Sequence, residues 1–309
     1  RLNGSVDYYN SKTEDILFNI NLPQITGFSS IYSNIGEVAN NGFEFTLSSV
    51  NIKKNNFTWE TAFVFSRNNN EIVSILGRDD DGDGKEDDLI ANSLFIGEPI
   101  STVYHYKETG NLYQIGDDIP EGYHAGNVIL EDLNGDGIIT PEFDRSILGR
   151  REAAYRFSIY NEIRYKNWTF SAFINSIQGG KNGYLGSNPG RWIDANNIDN
   201  WNIPEEWDYW TPLNPNAAHT GIQYDDPIGI PRYVTRSFVR LQDVKLAYNL
   251  PKSLLKKLNL NGIRLYISGK NLYTMTNWIG TDPETGGGIN DLGTHPVMKS
   301  YSIGFNLNF

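Results

Sequence analysis

The sequence contains no cysteine and only two methionines among its 309 residues. The absence of cysteine excludes disulfides, thiol catalysis and thiolate metal sites. No run reaches the roughly 18 to 20 apolar residues that a membrane-spanning helix needs. No charged and then apolar leader segment follows Arg1, so we expect a mature form or an internal piece of a longer chain.

Motifs that carry chemistry are equally scarce. The sequence shows no HExxH motif, nucleophile elbow or phosphate-binding P-loop, and its four histidines are scattered without paired ligand spacing. The expectation is therefore that the chain is not an enzyme. The net charge of -11 and the sequence pI near 4.9 argue against a nucleic-acid partner.

Aromatic residues, in contrast, make up 13% of the chain, while the mean hydropathy is only -0.45. This combination favours β-structure with aromatic girdles over a helical bundle. The last eleven residues show a period-two pattern, in which small or polar residues separate the apolar residues Tyr301, Ile303, Phe305, Leu307 and Phe309. Because side chains alternate across a strand, this segment predicts one apolar and one polar face.

The same alternation predicts a central hairpin, with strands at Tyr155–Tyr165 and Trp168–Asn175 joined at Lys166-Asn167. Strands of about ten residues with a tight polar turn match the membrane-crossing strands of outer-membrane barrels. A soluble β-sandwich would give the same hairpin, with its charges facing solvent. Further strands are predicted at Leu2–Asn10, Gly42–Ile52, Phe57–Ser66, Phe238–Leu250, Ile263–Thr276 and Val297–Phe309, with weaker patterns at Ile16–Ile20 and Ser101–Tyr106.

The connections between these strands differ in length at the two ends. Three are short, at Lys53–Asn56, Lys166-Asn167 and Pro251–Gly262. Three are long, at Glu71–Ala153, Gln178–Thr235 and Asn277–Pro296. Short periplasmic turns and long extracellular loops are typical of an outer-membrane barrel. The predicted fold is therefore all-β, an antiparallel transmembrane β-barrel segment of about eight or nine strands.

Five strings of the sequence resemble the C-terminal half of SusC/RagA-type TonB-dependent transporters of the Bacteroidetes. Their order and spacing agree with that family over nearly the whole chain. They are Phe95–Gln114 (FIGEPISTVYHYKETGNLYQ), Asp132–Gly149 (DLNGDGIITPEFDRSILG), Tyr209–Ala217 (YWTPLNPNA), Ser237–Pro251 (SFVRLQDVKLAYNLP) and Arg264–Glu284 (RLYISGKNLYTMTNWIGTDPE).

This resemblance implies a closed, plugged barrel of about 22 strands in the outer membrane of a Gram-negative cell. It also implies energy supply through an N-terminal plug and a TonB box, a SusD-like surface lipoprotein as partner, and contact with outer-membrane lipid. Neither plug nor TonB box is present, so residues 1–309 are expected to be the C-terminal part of the barrel. Eight or nine strands of a wide barrel would leave two edges whose backbone groups lipid cannot hydrogen-bond. The remaining strands are therefore expected on chain beyond this sequence, and the alternative is a smaller barrel closed by these strands alone.

Two acidic runs resemble calcium loops. Asp132, Asn134 and Asp136, the carbonyl of Ile138 and the later Asp144 could supply oxygen ligands, but the usual twelfth position is Phe143. A second run offers Asp79, Asp81, Asp83 and Asp87, with Ile90 at its twelfth position. Structural Ca²⁺ is therefore a candidate cofactor in both loops. A self-stabilised turn in the first case, and a solvated external loop in the second, explain the same residues without metal.

A tryptophan-rich stretch, Arg191–Pro212, is the candidate binding segment for cargo or partner. Aromatic faces beside amides and carboxylates suit sugar rings, although a loop that packs on its own aromatics or docks on a lipoprotein would have the same composition. The candidate residues are Trp192, Trp201, Trp207, Tyr209 and Trp210.

The function predicted from the resemblance is uptake of oligosaccharides with a SusD-like lipoprotein. A transporter of the same type importing peptides, as RagA-like proteins do, is one alternative. A secreted, calcium-stabilised, glycan-binding β-sandwich is an alternative of another class, but it leaves the terminal aromatic and the unequal loops unexplained.

Overall fold

The computed structural model describes residues 1–21, 25, 27–34, 36–184, 208–221, 228, 233–258, 260–278, 280, 282–285 and 295–308. β-Strands are the main regular secondary structure of these residues. The elements in chain order are β1 (Leu2–Thr13), β2 (Leu17–Asn21), β3 (Ser30–Asn34), β4 (Glu37–Lys54), β5 (Phe57–Ser74), β6 (Thr102–Tyr106), β7 (Glu108–Leu112), β8 (Val128–Leu130), β9 (Arg145–Arg150), β10 (Tyr155–Tyr165), β11 (Trp168–Gln178), β12 (Gly183–Tyr184), β13 (Tyr233–Val234), β14 (Phe238–Asn249), α1 (Lys252–Leu258), β15 (Gly262–Thr276) and β16 (Ser300–Asn308). No helix in these ranges is long and apolar enough to cross a membrane.

Eight strands form one antiparallel sheet in the order β1-β4-β5-β10-β11-β14-β15-β16. Strands β2, β3, β6 to β9, β12 and β13 form separate two-stranded sheets. Each of the remaining strands pairs with the next one along the chain. The predicted asymmetry of the connections is confirmed, because the short turns at 55–56, 166–167 and 250–261 share one end and every long connection leaves from the other. Within the described residues, β1 and β16 each have an outer edge without a paired strand.

The sheet has one apolar and one polar face, as the alternation predicts. The register aligns Phe305 with Leu265, Leu265 with Tyr248, and Tyr248 with Trp168, so these four side chains share a face. That face is open: Tyr301 is 77% and Ile303 85% exposed. A β-sandwich would cover such a face with a second sheet, so the sandwich alternative does not fit this arrangement.

The first long connection folds into a layer of its own. Strand β6 pairs with β9 and β7 pairs with β8, and a small core of Tyr106, Val128 and Leu130 forms between them. A second small core lies where β5 enters this layer, around Ile72, Ile75 and Leu94. The buried apolar residues therefore lie mainly in the loop layer and not beneath the sheet.

Several predicted boundaries need correction. Strands β4 and β5 are each 18 residues long, because asparagine-rich backbone beyond the apolar alternation continues the ladder. The weak pattern at Ile16–Ile20 corresponds to β2, which pairs with β3 outside the main sheet. The pattern at Ser101–Tyr106 corresponds to β6, which pairs with β9 in the loop layer. The last strand begins at Ser300 rather than at Val297, and Phe309 lies outside the described residues.

Candidate functional site

The polar face of the sheet is the first candidate site. On it, the Tyr160 hydroxyl donates to Glu162 Oε2 at 2.8 Å, and Arg164 forms an ion pair with the same carboxylate. Glu162 also lies directly opposite Glu60, and Asp7 lies directly opposite Glu44. Opposed carboxylates repel each other, so this part of the face favours cationic or hydrogen-bond-donating groups.

The apolar face carries an aromatic row at the short-turn end. Cross-strand pairing aligns Phe57 with Tyr165, Tyr165 with Trp168, and Trp168 with Tyr248. The rings of Trp168 and Tyr248 are in contact, with centroids 4.6 Å apart. Aromatic rows at this position are typical of the boundary between hydrocarbon and headgroups in outer-membrane barrels.

We number the acidic loops by their order along the chain, so that residues 79–87 form the first and residues 132–144 the second. The first acidic loop brings together three of its four candidate ligands. Carboxylate oxygens of Asp79, Asp81 and Asp87 lie within 4.8 Å of one another, whereas Asp83 is not part of this group. Asp79 accepts the N–H groups of Gly82 and Gly84 at 2.7 and 2.9 Å. Asp87 closes the loop by accepting the N–H of Asp80 at 2.6 Å. Hard oxygen donors converging from one tight loop are the ligand set that Ca²⁺ prefers.

The second acidic loop repeats this hydrogen-bond pattern. Asp132 accepts the N–H groups of Gly135 and Gly137, both at 2.7 Å, as Asp79 does in the first loop. Asn134 Nδ2 donates to Asp136 Oδ2 at 2.8 Å, so amide and carboxylate are already paired. Among the described residues, Asp132, Asp136 and Asp144 do not converge as the first group does. Ile138 contributes its N–H to Asp136 at 2.7 Å.

Asp144 is the closing residue of the second loop. Its side chain is fully buried, and its two oxygens accept the N–H groups of Leu133 at 2.8 Å and Thr140 at 2.7 Å. These bonds, that of Thr140 foremost, hold the pKa of Asp144 below its ordinary value. The carboxylate is therefore ionised at neutral pH, but its oxygens are already occupied in holding the loop together.

Trp210 links two long connections. Its Nε1 donates to Gln114 Oε1 at 3.0 Å, and its ring packs against Gly126 and Gly221. Gln114 in turn donates to the carbonyl of Pro215 at 3.1 Å. Tyr209 forms an isolated bridge with His219 beside it. Trp192, Trp201 and Trp207 lie outside the described residues.

A buried ion cluster is a feature that the sequence analysis missed. Arg240, on the polar face of β14, is 1% exposed and donates to both oxygens of Asp282 at 3.0 and 2.9 Å. It also pairs with Glu284 and donates to Thr274 Oγ1 at 2.9 Å. The cluster holds the last long connection against the polar face. Arg240 and Asp282 are 42 positions apart in the sequence, so no local pattern signals their pairing.

No family model matches the chain, but similar proteins do. TonB-dependent receptor P3 of Formosa agariphila is 35% identical over 334 residues, which takes in 100% of this chain and 32% of that protein. TonB-dependent receptor SusC of Bacteroides thetaiotaomicron is 25% identical, over 100% of this chain and 30% of that protein. Over its whole length the chain is similar to TonB-dependent receptors of the SusC/RagA type. It spans about a third of the length of the relatives it matches.

Solved structures agree with this placement. The RagAB peptide importer in its open-open state matches 100% of this chain with 33% of its own, at a TM-score of 0.73 and 22% identity. The structure of the RagAB peptide transporter gives a TM-score of 0.69 at 24% identity, with 34% of that chain covered. The predicted fold, part of an antiparallel outer-membrane β-barrel, is confirmed, and so is the predicted location in the outer membrane. The relatives are named as receptors and the solved neighbours as transporters, which fits a chain that is not an enzyme.

Proposed function

We propose that the protein containing this SusC/RagA-type segment imports oligosaccharides across the outer membrane. The observation that carries the proposal is the division of one sheet into an apolar face and a polar face, with every long connection at one end. In a barrel wall, these faces meet lipid and lumen, and the long connections form the extracellular mouth. The unpaired outer edges of β1 and β16 support further strands on either side, since lipid cannot satisfy an open edge.

The partners proposed for this importer are a SusD-like surface lipoprotein and the TonB complex. Similarity to SusC and to the RagAB transporter supports both partners. The folded loop layer built on β6 to β9 supports a lipoprotein at the extracellular end, since it offers a structured surface instead of a loose loop. TonB would act through the plug and TonB box that the resemblance implies, outside residues 1–309.

Oligosaccharide is proposed as cargo because the lumen face of β15 and β16 offers uncharged hydrogen-bonding groups between the cations Arg264 and Lys270. Ser302, Asn306 and Ser268 alternate with lipid-facing apolar residues there. Hydroxyl and amide groups suit sugar hydroxyls without demanding charge. The opposed carboxylates Asp7 with Glu44 and Glu60 with Glu162 favour a second candidate, import of peptides with basic side chains.

Purification of the native complex in mild detergent tests the proposal. We expect the complete receptor in the outer-membrane fraction, together with a lipoprotein identified by mass spectrometry. Calorimetric titration with neutral oligosaccharides and with lysine-rich peptides then separates the two cargo classes. A soluble, monodisperse protein in plain buffer would contradict the importer, and saturable binding of peptides alone would contradict the oligosaccharide cargo.

We also propose that Ca²⁺ stiffens both acidic loops of the extracellular layer. The converging oxygens of Asp79, Asp81 and Asp87 support the first site, and the repeated loop of Asp132 to Ile138 supports the second. The predicted outcome is two bound Ca²⁺ per chain by elemental analysis, one of which is lost in Asp79→Asn/Asp81→Asn. Unchanged protease resistance of both loops after chelation would contradict a structural role.

A further inference from the structure

The rim formed by the short turns carries lysines and no aspartate or glutamate. Six lysines lie there, and we call them the lysine rim: Lys53, Lys54, Lys166, Lys252, Lys256 and Lys257. No aspartate or glutamate occurs in residues 48–59, 163–169 or 244–281, although the whole chain has a net charge of -11. The acidic residues lie on the lumen face or in the long connections, so the two ends of this wall carry opposite charge.

Backbone hydrogen bonds join the turns into one continuous rim. The N–H of Lys166 donates to the carbonyl of Asn56 at 2.8 Å, and the N–H of Asn249 donates to that of Asn167 at 2.9 Å. All six lysine side chains are exposed. Within the described part of the chain, none of them forms an ion pair. The described part of the rim is therefore a positive surface whose lysines are not neutralised by aspartate or glutamate.

The lysine rim lies directly beyond the aromatic row that marks the edge of the apolar face. Lys54 is paired across the strands with Phe57. The ammonium group of Lys166 lies 5.3 Å from the centroid of the Tyr165 ring. Because the aromatic row lies at the boundary of the hydrocarbon, the lysine ammonium groups are at the height of the lipid headgroups.

Helix α1 adds an interfacial element to the same rim. Lys252 and Lys256 are one turn apart, and Leu254 between them is 46% exposed, while Leu255 is buried against the wall. An exposed leucine among lysines on a short helix suits the plane of a membrane interface, where the leucine enters the acyl region and the lysines reach the headgroups.

We propose that the lysine rim binds the phosphate groups of anionic phospholipids in the periplasmic leaflet. Electrostatic attraction to an anionic membrane surface contributes about a fivefold gain in affinity for each lysine near the surface. The occupant is a lipid and not a soluble partner, because the lysines adjoin the apolar face and the aromatic row. An acidic protein or the carboxylates of the cell wall would not require this height in the membrane.

The test uses the full-length receptor in detergent with added phosphatidylglycerol or phosphatidylcholine. Native mass spectrometry counts the retained lipids, and the thermal midpoint is followed with lipid concentration. We expect phosphatidylglycerol to be retained and protective, and Lys252→Gln/Lys256→Gln/Lys257→Gln to need about a hundredfold more of it for the same protection. Substitution of the same three residues by Arg keeps the charge and should retain binding.

Lys107→Gln/Lys299→Gln, which removes two lysines at the opposite end of the wall, is the control for loss of charge elsewhere, and its response to phosphatidylglycerol should be that of the parent. Equal protection by phosphatidylcholine and phosphatidylglycerol would overturn the proposal. So would full protection of the triple Gln variant by phosphatidylglycerol. If the Gln variant instead lost binding to purified cell-wall sacculi while its lipid response was unchanged, the rim would be a cell-wall contact.

Discussion

Replacement of Arg240 by Met tests whether the last long connection is fastened to the lumen face. The substitution leaves the carboxylate of Asp282, which is only 7% exposed, without its bidentate partner. Removal of one partner from a buried pair typically costs about 3 to 5 kcal/mol. Asp282 still accepts backbone N–H bonds from Glu284 and Thr285, so we expect a cost at the lower end of this range, about 3 kcal/mol. This cost corresponds to a roughly hundredfold higher population of the detached loop.

The assay is cleavage after Glu284 by a glutamyl endopeptidase in the full-length receptor. Cleavage tracks the detached population when reclosing is fast, so the rate should rise about a hundredfold in Arg240→Met. The double variant Arg240→Met/Asp282→Asn removes both charges and should recover at least half of the lost protection. A cleavage rate unchanged in Arg240→Met, or strictly additive effects in the double variant, would refute the reasoning.

Three further predictions concern single sites. The pKa of Asp144 is lowered in the folded loop, so its carboxylate stabilises the loop fully above the ordinary aspartate pKa of about 3.9. This stabilisation is lost only as the pH falls through the lower folded pKa. Hydrogen exchange in residues 131–145 should therefore stay slow at pH 5 and rise only in stronger acid. Trp210→Ala should loosen the contact with Gln114 by about 2 kcal/mol, seen as faster exchange in residues 112–127, and unchanged exchange there would contradict the link. Asn161→Leu should lower the thermal midpoint although it makes the lipid face more apolar, because Trp59 Nε1 and Thr61 Oγ1 lose their acceptor; a raised midpoint would count against this.

The main sheet could be predicted from the sequence because its physics is local. A strand in a barrel wall must alternate between lipid and lumen, so the pattern at Tyr301 to Leu307 specifies both the strand and its faces. The long extensions of β4 and β5 escaped prediction because strand pairing beyond the membrane needs no apolar alternation. The short strands β7 and β8 escaped as well, since their small core forms only when distant residues meet.

The acidic loops show where spacing rules reach their limit. The first positions of both acidic loops have the spacing of a calcium loop, but the twelfth position is not a carboxylate in either. The loops close instead with Asp87 and Asp144, at two different distances from their first aspartates. In both loops the closing carboxylate accepts the N–H of the residue after the first aspartate, a backbone relation that no spacing rule encodes. The group of Asp79, Asp81 and Asp87, and the separate place of Asp83, follow from that geometry.

The most direct test of the account is cysteine scanning along β16 in the native outer membrane, which is straightforward because this sequence has no cysteine of its own. Single cysteines at residues 301 to 307 are treated with a water-soluble maleimide, with the parent receptor as the blank. We expect labelling at Ser302 and Asn306 and protection at Tyr301, Ile303, Phe305 and Leu307. Position 304 is left out, because a side chain there would overlap the ring of Tyr266. Equal labelling at all positions, or the reverse alternation, would contradict a wall with its apolar face in lipid.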